Sequence, residues 1–165
     1  MFSRVRALRA WQVGKMARTR HYRDLIAWQK AMELARAVYA ETEEFPKSET
    51  FGLRVQPRRS AVNVASHIAD AHGRLNDAEM RKGLGAARAA INELQTQVEL
   101  AASLGFFRES ASEGLLDLGT RVAKLINGLL GVLDPADKIM SPRQLANLPT
   151  SATADANSRN EKQNQ

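Results

Sequence analysis

The side chains best suited to chemistry in this sequence are cationic, and they gather in its middle. Arg54, Arg58, Arg59, Arg74, Arg81, Lys82 and Arg88 all lie within one central stretch. A guanidinium grips phosphate through two parallel N–H donors, and a helix face can lay several such groups along a nucleic-acid backbone. A second set is polar or acidic: Asn63, Ser66, His67, Asp70 and Glu93. Metal or hydrolytic chemistry needs converging ligands, and here the spacing is poor. His67 and His72 are five apart, so they do not share a helix face as an i, i+4 pair would. A His67–Asp70 pair is the remaining metal-like combination, and such pairs ordinarily sit on a surface or in packing. The sequence contains no Glu-x-x-His, no glycine-rich phosphate loop and no nucleophile elbow. The expectation is a protein without catalytic residues, metal or cofactor, which holds a partner rather than transforming a substrate.

The cations have a competing use. They could pair with Glu93, Asp70 and Glu79, within one chain or between copies. That alternative weighs most for Arg58. On a wheel of about 100° per residue over Val55 to Arg74, Val55, Ala61, Val62, Ala65, Ile68 and Ala69 form an apolar arc. Arg59, Asn63, Ser66, Asp70 and Arg74 form a polar stripe with His67 at its edge, whereas Arg58 lands inside the apolar arc. A guanidinium there must snorkel out or find a carboxylate, because an unpaired buried charge is very unfavourable. Pro57 marks either a kink or the true start of this helix, with Ser48 to Gln56 as a lead-in.

The elements that must position these groups read as four helices. The first runs from Tyr22 or Asp24 to Glu44, on a seam of Leu25, Trp28, Met32, Ala35 and Tyr39 widened by Ala31, Leu34 and Val38. Met32 and Tyr39 are expected in the core, and Phe45-Pro46 ends the element. The central stretch is the second helix. The third has Asn76 as N-cap and Asp77 and Glu79 in its first turn, where carboxylates suit the helix dipole. Met80, Leu84, Ala87, Ile91, Leu94, Val98 and Ala101 then alternate four and three until Gly105, a good residue to terminate a helix. Arg81, Lys82 and Arg88 point away from that seam, and Glu93 and Gln97 flank it. The fourth helix follows Glu109-Ser110 and ends at Asp134-Pro135, with Leu115, Leu118, Val122, Leu125, Leu129 and Val132 on its seam. With no strand pattern, the fold class is all-α: an up-down antiparallel four-helix bundle over 22–134. Surplus apolar width on the third and fourth helices suggests self-association.

The net charge of +6 is unevenly spread. Residues 1–23 carry seven basic side chains and no acid, residues 24–134 net −2, and the remainder +1. The basic pI therefore argues for a basic leader over 1–21 rather than for a basic bundle. That leader is either a flexible arm or lies upstream of a true start at Met16. Residues 135–165, rich in Asn, Ser, Thr, Pro and Ala, bury too little to offset chain entropy and read as a disordered polar tail. Cysteine is absent, and no apolar run reaches the roughly 18 residues that span a bilayer. A cytoplasmic protein is expected.

Several motifs occur in an order that resembles a known family. Tyr22-Arg23-Asp24-Leu25, Trp28-Gln29-Lys30-Ala31 and Phe45-Pro46-Lys47 form its opening. Phe51-Gly52-Leu53, Gln56, Arg58-Arg59, Ala61-Val62, Ile68-Ala69-Asp70 and Gly73-Arg74 form its centre, and Glu79, Ala87, Glu93-Leu94, Thr96-Gln97 and Leu104-Gly105-Phe106 complete it. Over residues 22–133 the chain resembles the four-helix bundle proteins encoded by 23S rRNA intervening sequences of bacteria. It is also similar to the accessory variability determinant of diversity-generating retroelements. The resemblance implies a homopentameric ring and a role in binding structured RNA or DNA, or a reverse transcriptase or other protein. The chain departs from the pattern at Pro57, at Asn63, Ala65 and His67, and at Ala71-His72. Those changes keep the stripe polar while altering any detailed contact.

Overall fold

In a computed structural model of the chain, the described residues are 19–134. Most of the basic leader and the whole polar tail lie outside them. Four helices make up the fold: α1 (Ile26–Glu41), α2 (Val55–His72), α3 (Asp77–Ser103) and α4 (Glu109–Val132). No strand occurs among the described residues. Two short 3-10 turns, Tyr22–Asp24 and Lys47–Glu49, precede α1 and α2. α2 packs on α1 and α3, and α4 packs on α1 and α3, so the four helices close around one core.

The core is the set of heptad positions made solid. Leu34 and Val38 of α1, Val64 and Ile68 of α2, Leu84, Ile91, Leu94 and Val98 of α3, and Val122 and Ile126 of α4 are almost fully buried. Each side chain of that size contributes about 1.5–3 kcal/mol when removed from water. Tyr39 departs from the expectation that it lies in this core: it is 46% exposed, as are Val55 and Val62 to a similar extent. Among the helices the exposed large apolar residues fall mainly on α1 and α2, while Phe51 and Leu75 in the turns are the most exposed. α4 has no large apolar residue in the exposed class, while α3 contributes Leu100.

The helix ends follow local chemistry. α1 starts later than its periodicity suggests, because residues 22–24 wind as a 3-10 turn and Leu25 is extended. It stops at Glu41, where the buried Thr42 hydroxyl donates to the Val38 carbonyl at 2.7 Å and Phe45 turns into the core. Pro57 sits in the first turn of α2 and is buried there, where its missing N–H removes no intrahelical bond. At the head of α3 the Asn76 side chain accepts from the Glu79 N–H at 2.9 Å. At its foot Gly105 adopts φ +75°, the Gly105 N–H reaches the Ala102 carbonyl, and the Phe106 N–H reaches Ala101, both at 2.9 Å. That paired closure is the Schellman geometry, and its left-handed residue explains the glycine. It also turns Phe106 and Phe107 toward Phe45, with ring centroids 5.6 and 4.7 Å away.

α2 and α3 approach closely at Gly83. A Cβ built there would lie 2.8 Å from the Ala71 Cβ and 2.9 Å from its Cα, so only glycine fits without separating the helices. This contact fixes the polar stripe of α2 relative to the cations of α3.

Candidate nucleic-acid interface

The cations form three groups rather than one patch. The first straddles the α1–α2 junction. Arg58 donates from Nε to the Thr42 hydroxyl at 2.7 Å, and from Nη2 to the Tyr39 carbonyl at 3.1 Å and to Glu43 at 2.8 Å. Its guanidinium also lies 4.8 Å from the centre of the Tyr39 ring. Arg54 donates to the other Glu43 oxygen at 2.9 Å. One carboxylate is therefore held by two arginines, and hydrogen bonding from Arg58, followed by the charge of Arg54, lowers the Glu43 carboxyl below its ordinary value of 4.5. The Arg58 side chain is 18% exposed and Glu43 67%, so the guanidinium lies along the helix junction while the carboxylate stands in water. Arg58 reaches neither Glu93, Asp70 nor Glu79. The sequence signal was its misplacement on the wheel, together with Arg54 four residues before it.

The second group is the polar stripe of α2. Arg74 pairs with Asp70 at 2.6 Å across one helical turn. Arg59 and Ser66 are exposed, Asn63 and His67 half-buried, and among the described residues Arg59 has no ion-pair partner. His72, at the end of this helix, bonds instead to the chain that leads into α1, with Nε2 2.9 Å from the Thr19 carbonyl. No three His, Cys, Asp or Glu side chains come together as a metal-holding group among the described residues.

The third group is on α3. Arg81 reaches Asp134 at the end of α4 at 3.1 Å, and Arg88, seven residues on, shares its face. Lys82 points about 100° away, on the face that also carries Glu93. Gln97 donates to Glu93 at 3.3 Å, while its own Oε1 is buried with no partner. Lys82 and Arg88 are exposed and make no ion pair among the described residues. Of the seven predicted cations, Arg59, Lys82 and Arg88 remain open to a ligand, while Arg54, Arg58, Arg74 and Arg81 have carboxylate partners.

Sequence reasoning missed a feature beside the first two groups. α1 and α2 leave an open groove of about 610 Å3 between them, with Trp28, Met32 and Tyr39 on one wall and Val62, Ala65 and Ala69 on the other. Tyr22 and Arg36 also line it, and Tyr22 meets Trp28 edge to face at 5.2 Å. Trp28 and Tyr39 had read as core positions because their spacing matches the buried seam.

The family model of the 23S rRNA-intervening sequence protein matches residues 23–128, which takes in all four helices almost to the end of α4. The chain belongs to this family. Comparison with characterised proteins finds no match. The stretch matched contains every cation described above and all of the groove lining except Tyr22. No helix among the described residues is long and apolar enough to cross a membrane.

Proposed function

We propose that this 23S rRNA-intervening sequence protein is a non-enzymatic, oligomeric, up-down four-helix bundle that binds structured RNA or DNA through cations on α2 and α3. The observation carrying this reading is that Arg59, Lys82 and Arg88 stand exposed and unpaired on two helices locked together at Gly83. The family's name ties its members to ribosomal RNA genes, which adds weight to nucleic acid as the ligand. The cytoplasm is the compartment that fits such a partner. A ring of five copies would repeat the three cations five times and combine separate weak contacts into an array whose avidity exceeds any single contact.

A filter-binding titration with an RNA hairpin and a DNA hairpin tests this. Affinity is expected to fall steeply with salt, and the Arg59→Ala/Lys82→Ala/Arg88→Ala variant to flatten the salt slope by about one unit for each phosphate contact removed. No binding at low salt, or binding indifferent to salt, defeats the reading. Light scattering on the same protein is expected to give five times the chain mass. A second reading, a scaffold for a polymerase-like protein such as a reverse transcriptase, is favoured by the exposed Tyr39, Val55 and Val62. Its mark would be a complex that survives nuclease treatment.

A further inference from the structure

The groove between α1 and α2 differs chemically from the phosphate-binding patch proposed above. Apolar wall is combined there with aromatic planes and a guanidinium: Trp28, Tyr39 and Tyr22 with Arg36. Arg36 is exposed, lines the groove and makes no ion pair among the described residues, although its charge is felt by the Glu33 carboxyl. An apolar groove alone would suit many partners, so the surrounding charge decides. Arg36, Arg58 and Arg54 lie along α1 and its junction, Arg59 and Arg74 on the adjoining stripe of α2, and Arg23 over the Tyr22 ring at 5.7 Å. Of these, Arg36 alone lines the groove, and no carboxylate lines it; over residues 22–74 eight cations meet seven carboxylates, with Arg54 and Arg58 held by Glu43 and Arg74 by Asp70. The apolar, aromatic floor is therefore flanked by two cations without a carboxylate partner among the described residues, Arg36 on its wall and Arg59 about one helical turn before Val62.

We infer that the groove takes unpaired bases of a single-stranded or looped nucleic acid, stacked against Tyr39 and Trp28, with the flanking phosphates held by Arg36 and Arg59. Stacking on aromatic faces is sequence-tolerant, because every base presents a π-face, and arginines complete it by tracking the backbone. Trp28 and Tyr39 are eleven residues apart on α1, about 16 Å along its axis. That length spans at most about five base steps at ~3.4 Å. The chemistry is base plus phosphate, shared by RNA and DNA, and the 2′-hydroxyl would distinguish them. This inference rests on the nucleic-acid reading above, shares Arg59 with it, and adds the groove as the surface for the bases.

The full-length protein with Trp11→Phe leaves Trp28 as its sole indole. Titrating it with a twelve-residue oligo(U), an oligo(dT) and a fully paired hairpin separates the possibilities. The single strands are expected to quench Trp28 emission, and the hairpin stem to leave it unchanged. Tyr39→Ala, at a half-exposed position, should weaken single-strand binding roughly five- to hundredfold with little effect on the hairpin. Val62→Glu, which puts a carboxylate at the groove mouth, should do the same without removing a ring. Single-strand binding with unchanged emission and unchanged affinity in both variants overturns the groove assignment and leaves the phosphate patch standing. A drop in oligomeric mass in Val62→Glu, with binding intact, assigns the groove to a second copy of the chain and overturns it too. Failure of all three probes to bind at low salt sinks both proposals.

Discussion

Arg58 sits on the apolar side of α2 and is nonetheless fully engaged, by the Thr42 hydroxyl, the Tyr39 carbonyl and ring, and Glu43. Thr42 is wholly buried, so removing Arg58 withdraws a partner from an interior hydroxyl as well as breaking an ion pair. Arg58→Ala is expected to destabilise the protein by about 1–3 kcal/mol in urea unfolding. Arg58→Lys should recover only part, because an ammonium cannot reproduce the fork that reaches Thr42 and Glu43 together. The Glu43 carboxyl is depressed below 4.5 in the folded state, first by Arg58 and then by Arg54. A depressed acid contributes stability above its unfolded value and loses it as pH falls through the folded one. The stability difference between wild type and Glu43→Gln should accordingly be constant above about pH 5 and shrink progressively below 4.5. A difference that stays flat down to pH 3 would show that the two arginines gain nothing from this carboxylate. The helical wheel showed that Arg58 required a partner. It could not show which, because Glu43 is 15 residues earlier and reaches Arg58 only through the turn between two helices.

At the level of the helices, the strongest signals were those whose cause is local. Asn76 caps α3 and Gly105 ends it, as side-chain acceptor and left-handed residue respectively, and both follow from the chemistry of single residues. The start of α1 was less legible, since a 3-10 turn and a helical turn share the same short-range periodicity. Tyr39 misled for a different reason: heptad spacing identifies the face a residue occupies, not whether a neighbouring helix covers it. Gly83 and Gly85 offer a controlled comparison within α3. An added Cβ meets Ala71 at 2.8 Å at Gly83 and nothing within 4 Å at Gly85. Gly85→Ala should raise stability by up to about 1 kcal/mol through helix propensity alone. Gly83→Ala, with the same intrinsic gain, should lower the melting temperature, because overpacking forces α2 and α3 apart. Equal shifts of the same sign in the two variants would show that the close approach is not maintained in solution.

For the molecule as a whole, the two ends of the bundle are finished differently. At one end Phe45, Phe106 and Phe107 clasp the turn after α1 to the turn before α4, and Arg54, Glu43 and Arg58 lie beside the same junction. At the other end the turn between α2 and α3 carries Leu75, fully exposed and touching nothing of the core. Hydrogen exchange is expected to be slowest for amides near the aromatic clasp and faster near Leu75, since local opening follows the density of buried contacts. The sequence made the all-helical class and the heptad seams readable, because periodicity is a property of the chain alone. It left the groove and the grouping of the cations unread, because those depend on how far apart two packed helices are held.

The bare tip at Leu75 also makes this protein a convenient host. A peptide spliced in after that leucine would displace no packed atom, and would project from the bundle at the extremity away from the phenylalanine clasp. A dozen glycines and serines inserted there should leave the melting temperature nearly unchanged, so a fluorophore could be carried at that point while every cation and the whole groove stay as the chain makes them.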